Sequence, residues 1–504
     1  MRLQALLAAL EQPPVAFHNV SEQDENIDIA ALAYDSRQVK PGGLFIAVPG
    51  THTDGRCFLA DAAQRGAVAA LGPQPETFNL PLPYIEVSDV RIALANLASA
   101  FYGYPAYQLC TIGVTGTDGK TTTSNLISTL LDVAGKQSGL MTTANFKLRE
   151  HEWENTTRQS TLEALEIQQF LRWLVETDVR YAVVETTSIG LELQRVRGCA
   201  FDVGVVTNIT HEHLDFHGTI QKYRRAKARL FEMLDPARDK GLEVKPIAIL
   251  NRDDVSYEEL KPYCKVPILD YGFDQAAAVR AVDVKLDAYS TRFRAIMPGA
   301  EVDIETQLVG PFNVSNCLAA IATAYSLGVK GTDIARGLAS ARGVSGRMER
   351  IDEGQPFTVI VDYAHTPDSL EKVLSVLRPL TKGKLIAVFG SAGERDVQKR
   401  PIMGQIAAQK SDFFIITDED PREEDREHIL HDIANGAESV GKREGRDFLC
   451  IADRAQAIAT AFMHAGPGDT VLLAGKGHEQ SIITGREKIP WDDRRVAREQ
   501  LRSL

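Results

Sequence analysis

The sequence lacks the features that mark membrane-spanning or secreted proteins. None of its hydrophobic stretches approaches the roughly 18 uninterrupted apolar residues of a transmembrane helix, so we expect no membrane span. The apolar run at residues 3–10 has no small-residue cleavage site, and Glu11, Gln12, Pro13 and Pro14 follow it directly. This pattern predicts a short amphipathic helix and argues against a signal peptide.

Paired cysteines and an excess of basic residues are also missing. The six cysteines are scattered without a CxxC pair, which predicts reduced thiols and a cytoplasmic protein. Acidic residues number 68 and basic residues 56, giving a net charge of -12 that opposes binding to nucleic acid or anionic lipid. A phosphorylated small molecule is still compatible, because local basic groups can outweigh the net charge.

What is present is ordinary globular composition over 504 residues, enough for about three domains. We predict domains at residues 1–108, 109–342 and 343–504, with a linker near residues 103–105. Buried apolar strands alternate with helical patterns in the second and third regions, notably at Tyr181–Glu185 and residues 203–207 and 384–389. This indicates an α/β protein with a parallel sheet in a central ATPase-like domain and a doubly wound, Rossmann-like C-terminal domain. We expect a monomer.

The strongest motif is G-V-T-G-T-D-G-K-T-T at residues 113–122. An apolar strand leads into it and a helix is predicted to start near Lys120, so backbone N–H groups and the helix dipole form an anion site. Lys120 is suited to bridging the outer phosphates of a nucleotide, and the hydroxyl of Thr121 or Thr122 to holding Mg²⁺. A chance glycine-rich turn is the weaker interpretation, because the strand, loop and helix occur together.

A second cluster follows at residues 210–218, T-H-E-H-L-D-F-H-G. Three histidines within seven residues suggest zinc, but their spacing lacks the HExxH helix geometry, so zinc is the weaker hypothesis. Glu185 ends a predicted strand and is a candidate Mg²⁺ carboxylate, since Mg²⁺ takes few protein oxygens besides phosphate.

These motifs resemble those of the Mur ligases of bacterial cell-wall synthesis. Mur ligases and folylpolyglutamate synthases share T-G-T-x-G-K-T, where this chain has Asp118 in place of the usual Asn. Residues 212–218 are similar to the Mur motif D-H-L-D-x-H-G, with Glu212 in place of its Asp. The resemblance implies ATP and Mg²⁺ as cofactors, His213 as a Mg²⁺ ligand, and Lys227 as the lysine that the family carbamylates. Without the match to the family, Lys227 is more simply interpreted as a solvated lysine on a helix.

The resemblance also assigns residues to the nucleotide. Segments around residues 251, 313, 347 and 362–368 match family segments that meet adenine, ribose and phosphate. Taken singly, each Asn in them is as well explained as a turn or cap residue. The implied nucleotide contacts are Gly116, Thr117, Asp118, Gly119, Lys120, Thr121, Thr122, Asn251, Asn313, Arg347, Asp362 and His365.

Within the family, the N-terminal region is most similar to the ligases that add the third peptide residue. Y-D-S-R at 34–37 and V-P-G-T-H-T-D-G-R at 48–56 carry this likeness. It implies contacts with the uridine diphosphate from Tyr34, Ser36, Thr51, His52 and Thr53. It implies contacts with the sugar-peptide from Asn155, Thr156, Thr157, Thr187, Ser188 and Arg195. Ile189 and Arg158 depart from the family pattern, which has His and Pro at these positions.

The C-terminal region is expected to select the amino acid. The implied contacts are Arg395, Glu419, Asp420, Pro421, Arg422, Gly475 and Glu479. The family motif D-N-P-R is E-D-P-R here, so that Asp420 replaces a neutral donor and acceptor by an anion. Arg422 suits a carboxylate, and the mixed charges predict a diamino acid: diaminopimelate, lysine or ornithine. Asp420 weakly favours the latter two.

The implied chemistry is phosphorylation of the D-Glu side-chain carboxylate of UDP-MurNAc-L-Ala-D-Glu by ATP, followed by attack of a free amino acid. Lys120, Glu185, His213 and Lys227 are the implied catalytic residues. Two alternatives remain: another Mur-type ligase that adds D-Ala-D-Ala or glutamate, and a P-loop regulatory ATPase that forms no amide.

Overall fold

A computed structural model describes residues 1–21, 26–50, 53–75, 81–157, 159–210, 214–287, 290–341 and 343–503. The chain divides into two compact units: Met1–Val279 with Ala319–Ile334, and Arg280–Leu318 with Ala335–Leu504. None of the helices in the described ranges is long and apolar enough to cross a membrane. All six cysteines are free thiols, as the sequence predicts.

The first unit contains thirteen strands and nine helices among its described residues up to 279. The strands are β1 (Ala16–His18), β2 (Ala31–Ala33), β3 (Gly43–Ile46), β4 (Ala67–Gly72), β5 (Tyr84–Glu86), β6 (Cys110–Thr115), β7 (Ser138–Met141), β8 (Asn145–Leu148), β9 (His151–Glu154), β10 (Tyr181–Glu185), β11 (Val203–Val206), β12 (Ile247–Asn251) and β13 (Ile268–Gly272). The helices are α1 (Leu3–Leu7), α2 (Leu59–Gln64), α3 (Val90–Phe101), α4 (Lys120–Val133), α5 (Ala164–Glu176), α6 (Ser188–Glu192), α7 (Leu214–His217), α8 (Ile220–Glu232) and α9 (Tyr257–Leu260).

Two sheets organise this unit. The N-terminal sheet has the order β1-β5-β4-β3-β2, with only β1 antiparallel to its neighbour. In the second sheet, β13, β12, β11, β6, β10 and β7 are parallel and follow one another in that order. All six residues of β6 are buried, which is why its sequence is continuously apolar or small instead of alternating.

The position of β6 fixes the position of the phosphate loop. Its neighbours are β10 on one side and β11 on the other, and the chain leaves β6 for α4 and then β7. Strand order therefore reverses at the carboxyl end of β6, where open α/β sheets bind ligands.

From residue 279 onward, antiparallel and parallel strands are both present. The strands are β14 (Val279–Leu286), β15 (Thr291–Met297), β16 (Ala300–Thr306), β17 (Glu349–Ile351), β18 (Thr358–Asp362), β19 (Leu385–Phe389), β20 (Phe413–Ile416), β21 (Phe448–Cys450), β22 (Thr470–Ala474), β23 (Ser481–Thr484) and β24 (Glu487–Pro490). The helices are α10 (Pro311–Ser326), α11 (Gly331–Ser340), α12 (Pro367–Leu380), α13 (Lys399–Lys410), α14 (Arg426–Ser439), α15 (Arg454–His464) and α16 (Asp493–Ser503).

The sheet β17-β18-β22-β19-β20-β21 is the centre of the second unit, and its strands from β18 to β21 are parallel. Along β19, Ala387 and Phe389 belong to one hydrophobic cluster, and Ile386 and Val388 to another. Because successive strand residues point to opposite faces, both faces of the sheet are covered. The structure thus confirms the predicted α/β class and the doubly wound C-terminal sheet.

Candidate active site

The phosphate loop has the backbone that its glycines require. Gly116 has φ 146°, and a Cβ there would lie 1.9 Å from the hydroxyl oxygen of Thr207. Gly119 has φ 81° and precedes α4, which has no side-chain N-cap and so leaves its first N–H groups for a ligand. Lys120 begins the helix and donates from Nζ to the Thr117 carbonyl oxygen at 2.6 Å.

Asp118 is held in this loop through its backbone. Its N–H donates to Asn208 Oδ1 at 3.0 Å, and its carbonyl oxygen accepts from Thr207 Oγ1 at 2.6 Å and from Asn208 Nδ2 at 3.1 Å. Because these three bonds do not involve the Asp118 side chain, they are available to Asp and Asn alike.

Glu185 joins three segments at the carboxyl edge of the sheet. Its Oε2 accepts from Thr121 Oγ1 at 2.9 Å, and its Oε1 accepts from Thr143 Oγ1 at 2.8 Å. The Thr143 N–H adds a third bond to Oε2 at 3.0 Å. Within the described ranges no three His, Cys, Asp or Glu side chains form a metal cluster. The oxygens of Thr121 and Glu185 nevertheless suit Mg²⁺, which takes few protein ligands when phosphate supplies the rest.

Lys227 is not a solvated helix lysine. Only 1% of the residue is exposed, and its Nζ donates to the Gly116 carbonyl oxygen at 2.6 Å. The same nitrogen lies 4.5 Å from the centre of the Tyr223 ring, one helical turn earlier on α8. The structure therefore places this amine beneath the phosphate loop.

Several predicted substrate contacts already bond within the protein. Tyr34 donates to Glu166 Oε1 at 2.7 Å. The pKa of Tyr34 is raised, mainly by burial and to a lesser extent by the negative charge of Glu166. Arg195 pairs with Glu163 at 2.6 Å. The Asn155 side chain donates to the Thr142 carbonyl oxygen at 2.8 Å and accepts from Thr157 Oγ1 at 2.6 Å.

The other predicted contacts of the first unit differ in exposure. Ser36 and Ser188 are buried, whereas Thr53 and Thr156 are exposed. Thr187 caps α6, which begins at Ser188. Thr51, His52, Arg158, Glu212 and His213 lie outside the described residues, so the structure does not address their predicted roles.

Of the asparagines predicted to meet the nucleotide, Asn251 bonds to a distant segment and Asn313 bonds locally. Asn251 Nδ2 donates to the Thr207 carbonyl oxygen at 2.6 Å, and Asn313 Nδ2 donates to the Val309 carbonyl oxygen at 2.9 Å. In the second unit, a cavity of about 680 Å³ is lined by both Asn313 and Arg347. The structure thus brings these two predicted residues to one cavity.

Asp362 and His365 lie at the carboxyl end of β18. Asp362 accepts from the N–H groups of Met348 at 2.7 Å and Ala364 at 2.8 Å, which ties the 346–349 segment to this strand. The His365 ring lies with its centroid 4.5 Å from that of Tyr363, and the Arg347 guanidinium carbon lies 4.4 Å from the Tyr363 ring centroid.

The carboxyl ends of β20 and β22 bring together most of the residues predicted to select the amino acid. Lys476, fully buried, donates to Asp420 Oδ1 at 2.9 Å and to Glu479 Oε2 at 2.5 Å. Asp420 Oδ1 also accepts from the Ile483 N–H at 2.9 Å. Asp420 is therefore an anion paired with Lys476 and bonded to the backbone of β23, a pairing that the sequence alone did not predict.

Glu419 differs from its neighbour. It is 7% exposed, and its Oε2 has no hydrogen-bond partner among the residues that the structure describes. Burial raises the pKa of Glu419 to about 7, against the opposing effect of Lys399 and Lys476. Gly475 lies beside it: a Cβ there would be 3.6 Å from that oxygen.

Arg422 and Arg395 complete the predicted set with Pro421, which is buried. Arg422 is half-buried with φ 56°, and its backbone bonds to Ile483 and Gly485 on the β23 side. Arg395 is exposed.

The residues of these sites that were not predicted as contacts include Thr143, Tyr223 and Lys476. Lys476 lies between the predicted contacts Gly475 and Glu479 in the sequence. Tyr223 precedes Lys227 by four residues, so Tyr223 and Lys227 share one face of α8. No sequence signal distinguishes Thr143.

Comparison with known families gives three adjacent matches. The description "Mur ligase family, catalytic domain" matches residues 28–102, "Mur ligase middle domain" matches 114–324, and "Mur ligase, glutamate ligase domain" matches 346–477. Each match falls inside one of the three domains predicted from the sequence.

Individual relatives are similar over the whole chain. A UDP-N-acetylmuramyl-tripeptide synthetase of Roseiflexus sp. (strain RS-1) is 49% identical, covering 100% of this chain and 99% of its own. A UDP-N-acetylmuramoyl-L-alanyl-D-glutamate--2,6-diaminopimelate ligase of Geobacillus kaustophilus (strain HTA426) is 42% identical, covering 94% and 95%. A solved structure of a ligase with that second name superposes with a TM-score of 0.68 at 29% identity, covering 100% and 99%.

Proposed function

The chain belongs to the Mur ligase family of ATP-dependent amide ligases, and we propose that it joins a diamino acid to UDP-MurNAc-L-Ala-D-Glu. The observation that carries the proposal is the phosphate loop at the strand-order reversal beside β6, with Glu185 and Lys227 directed to it. The relatives' names supply the substrates: one is a tripeptide synthetase and another a 2,6-diaminopimelate ligase.

The proposed roles around the phosphates follow from charge and donors. Lys120 and the N–H groups at the start of α4 bind the outer phosphates of ATP. Thr121 and Glu185 would hold Mg²⁺, with His213 as a further ligand, and an ion held there would supply neutralisation of charge during phosphoryl transfer.

Lys227 is proposed to carry a carbamate. Burial disfavours a charged ammonium and so favours the neutral amine that reacts with CO₂. A carbon-13 carbamate signal after equilibration with labelled CO₂ that disappears in Lys227→Met is the expected observation. No signal in the parent protein would exclude the modification under those conditions.

The proposed reaction has two steps. A carboxylate oxygen of D-Glu attacks the γ-phosphorus of ATP, and the bond to the ADP oxygen breaks, which leaves an acyl phosphate. The amine then attacks the acyl carbon and loses a proton, and phosphate departs with the original carboxylate oxygen. The phosphate-loop donors stabilise the charge that develops in both steps.

The region at residues 1–108 is proposed to bind the uridine diphosphate through Tyr34, Ser36, Thr51, His52 and Thr53. The sugar-peptide is proposed to meet Asn155, Thr156, Thr157, Thr187, Ser188 and Arg195. Residues 109–342 are the proposed ATP-binding domain, and residues 343–504 the proposed amino-acid domain.

The proposed amino-acid site contains groups for both ends of a diamino acid. Arg422 is a cation suited to a carboxylate, and Glu419 has a carboxylate oxygen suited to an ammonium group and without a hydrogen-bond partner in the described ranges. Lys476 compensates the charge of Asp420, so the repulsion of a second carboxylate inferred from Asp420 alone is weakened. These groups support a diamino acid as a class.

The test measures ADP formation with UDP-MurNAc-L-Ala-D-Glu and a panel of amino acids. We expect turnover with diaminopimelate, lysine or ornithine and none with D-Ala-D-Ala or glutamate. Lys120→Ala should lower kcat by about a hundredfold or more. Lys330 is exposed, and Lys330→Ala is the control that should leave kcat unchanged. ADP formation that ignores the amino acid would support a regulatory ATPase and overturn the proposal.

A further inference from the structure

We propose that Tyr223 is a positioning residue that holds the phosphate loop and the start of α6 from a single aromatic ring. It lies on α8, is fully buried, and contacts Thr117, Lys227 and His217. The inference rests on the proposed function, because it assigns the two ends of this assembly to ATP and to the UDP-sugar-peptide.

The first contact fixes the phosphate loop. The Tyr223 hydroxyl and Thr117 Oγ1 are hydrogen-bonded at 3.0 Å, and Thr117 Oγ1 also accepts from the Thr210 N–H at 3.0 Å. The Thr117 carbonyl oxygen in turn accepts from Lys120 Nζ. Tyr223 therefore supports the loop residue to which the phosphate-binding lysine is bonded.

The second contact concerns Lys227. Its Nζ faces the Tyr223 ring at 4.5 Å and donates to the Gly116 carbonyl oxygen. Because the Tyr223 ring borders this buried nitrogen, it helps to keep the Lys227 side chain directed at the loop. Hydroxyl and ring thus support two successive loop residues, Gly116 and Thr117.

The third contact leads away from the phosphates. The His217 ring meets the Tyr223 ring in a T-shaped arrangement with centroids 5.4 Å apart. His217 Nε2 is hydrogen-bonded to Ser188 Oγ at 3.0 Å, and both residues are buried. Ser188 begins α6 and is a proposed sugar-peptide contact, so His217 positions a substrate residue while Tyr223 positions His217.

This arrangement predicts a separation of effects that general destabilisation does not produce. Removing the Tyr223 hydroxyl affects Thr117 and hence the nucleotide. Removing the His217 hydrogen bond affects Ser188 and hence the UDP-sugar-peptide. The ring contact between them remains in Tyr223→Phe, and a ring is retained at position 217 in His217→Phe.

The experiment measures Kd and KM for ATP and for UDP-MurNAc-L-Ala-D-Glu, with Tm as a check on folding. Tyr223→Phe should raise both constants for ATP about fivefold and leave those for the UDP-sugar-peptide within about twofold, as for loss of one hydrogen bond. His217→Phe should show the reverse, and His217→Gln, which keeps a polar group for Ser188, should restore the parent values. Tyr84→Phe is the matched control, since it removes a buried tyrosine hydroxyl that donates to the Pro73 carbonyl oxygen at 2.6 Å in the N-terminal sheet, away from the phosphate loop.

Unchanged ATP constants in Tyr223→Phe would overturn the proposal, as would an equal rise for both ligands that tracks a fall in Tm. Calorimetric binding needs no turnover, so its result is separate from that of the proposed function. The parent protein could bind both ligands and form no amide, while the two variants still weaken binding of different ligands. That result would overturn the proposed function and leave the positioning role intact.

Discussion

At the scale of single residues, the charge at position 420 depends on its partner. Asp420 bonds to the buried Lys476, which also bonds to Glu479, so two carboxylates share one ammonium. Asn at position 420 would keep an oxygen for Lys476 and Ile483 but remove one negative charge. The surrounding site would then be more favourable for a substrate carboxylate.

Asp420→Asn should therefore raise the ratio of kcat/KM for diaminopimelate to that for lysine, by about tenfold for a change in interaction of about 1.4 kcal/mol. Steady-state kinetics with both amino acids measure the ratio. Asp352→Asn, a change at an exposed ion pair with Arg350, is the control and should leave it unaltered. An unaltered ratio in Asp420→Asn would mean that this charge does not contribute to selection.

The raised pKa of Glu419 predicts that KM for the amino acid depends on pH. With a pKa raised to about 7 by burial, its carboxyl is protonated below that pH and ionised above it. If the ionised form receives the ammonium group of the amino acid, KM for the amino acid should fall as pH rises through about 7. Glu419→Gln should remove this inflection in a KM-against-pH profile.

The same shift has a consequence for stability. The folded-state pKa lies above the ordinary value of 4.5, so the native protein binds the proton more tightly than the unfolded chain. Ionising Glu419 therefore lowers the free energy of unfolding as pH rises from about 4.5 to about 7. Denaturant curves at pH 8 should show Glu419→Gln to be more stable than the parent, and a less stable variant would contradict this reasoning.

At the scale of elements, the connection between α8 and β12 is fixed by one buried ion pair. Lys240 bonds to Asp202 at 2.6 Å, with side chains 2% and 5% exposed, and also to the Leu109 carbonyl oxygen at 2.9 Å. Asp202 in turn accepts from the Thr111 N–H at 2.8 Å at the start of β6. The pair thus joins the connection to the strand that leads into the phosphate loop.

Lys240→Met should lower the free energy of unfolding by about 3 kcal/mol, because it leaves Asp202 buried without its counter-charge. Urea unfolding measures the loss, and Lys245→Met on the same connection, where the side chain is exposed, should change it by less than about 0.5 kcal/mol. Equal effects of the two substitutions would show that the ion pair does not stabilise this connection.

Helices and strands were predictable where the local residue pattern is compatible with only one kind of secondary structure. The strand at Tyr181–Glu185 has the predicted bounds, and α4 begins at the predicted Lys120. The ribbon β14–β16 was not predicted, although the alternating burial along Thr291–Met297 matches its alternating sequence. The hairpin β23–β24 has less local signal, since most of its residues are exposed or half-buried and it bonds to a segment about 60 residues away.

At the scale of the whole molecule, motifs identified the site but not its internal contacts. The phosphate loop was recognisable because strand, glycines and lysine are adjacent in sequence. Lys227 and Gly116 are 111 residues apart, and Lys476 and Asp420 are 56 apart, so each pair forms only in the folded protein. The first pair joins α8 to the loop after β6, and the second joins the segments that follow β22 and β20. Sequence reasoning could name members of these pairs but not the bonds between them.

The central claim is that ATP activates the D-Glu carboxylate for attack by an amine. Phosphate formed from substrate with oxygen-18 in that carboxylate tests it most directly. The account predicts one oxygen-18 atom in the phosphate for each amide formed, because the C–O bond breaks when the amine displaces the acyl phosphate. Amide product accompanied by unlabelled phosphate would contradict the account.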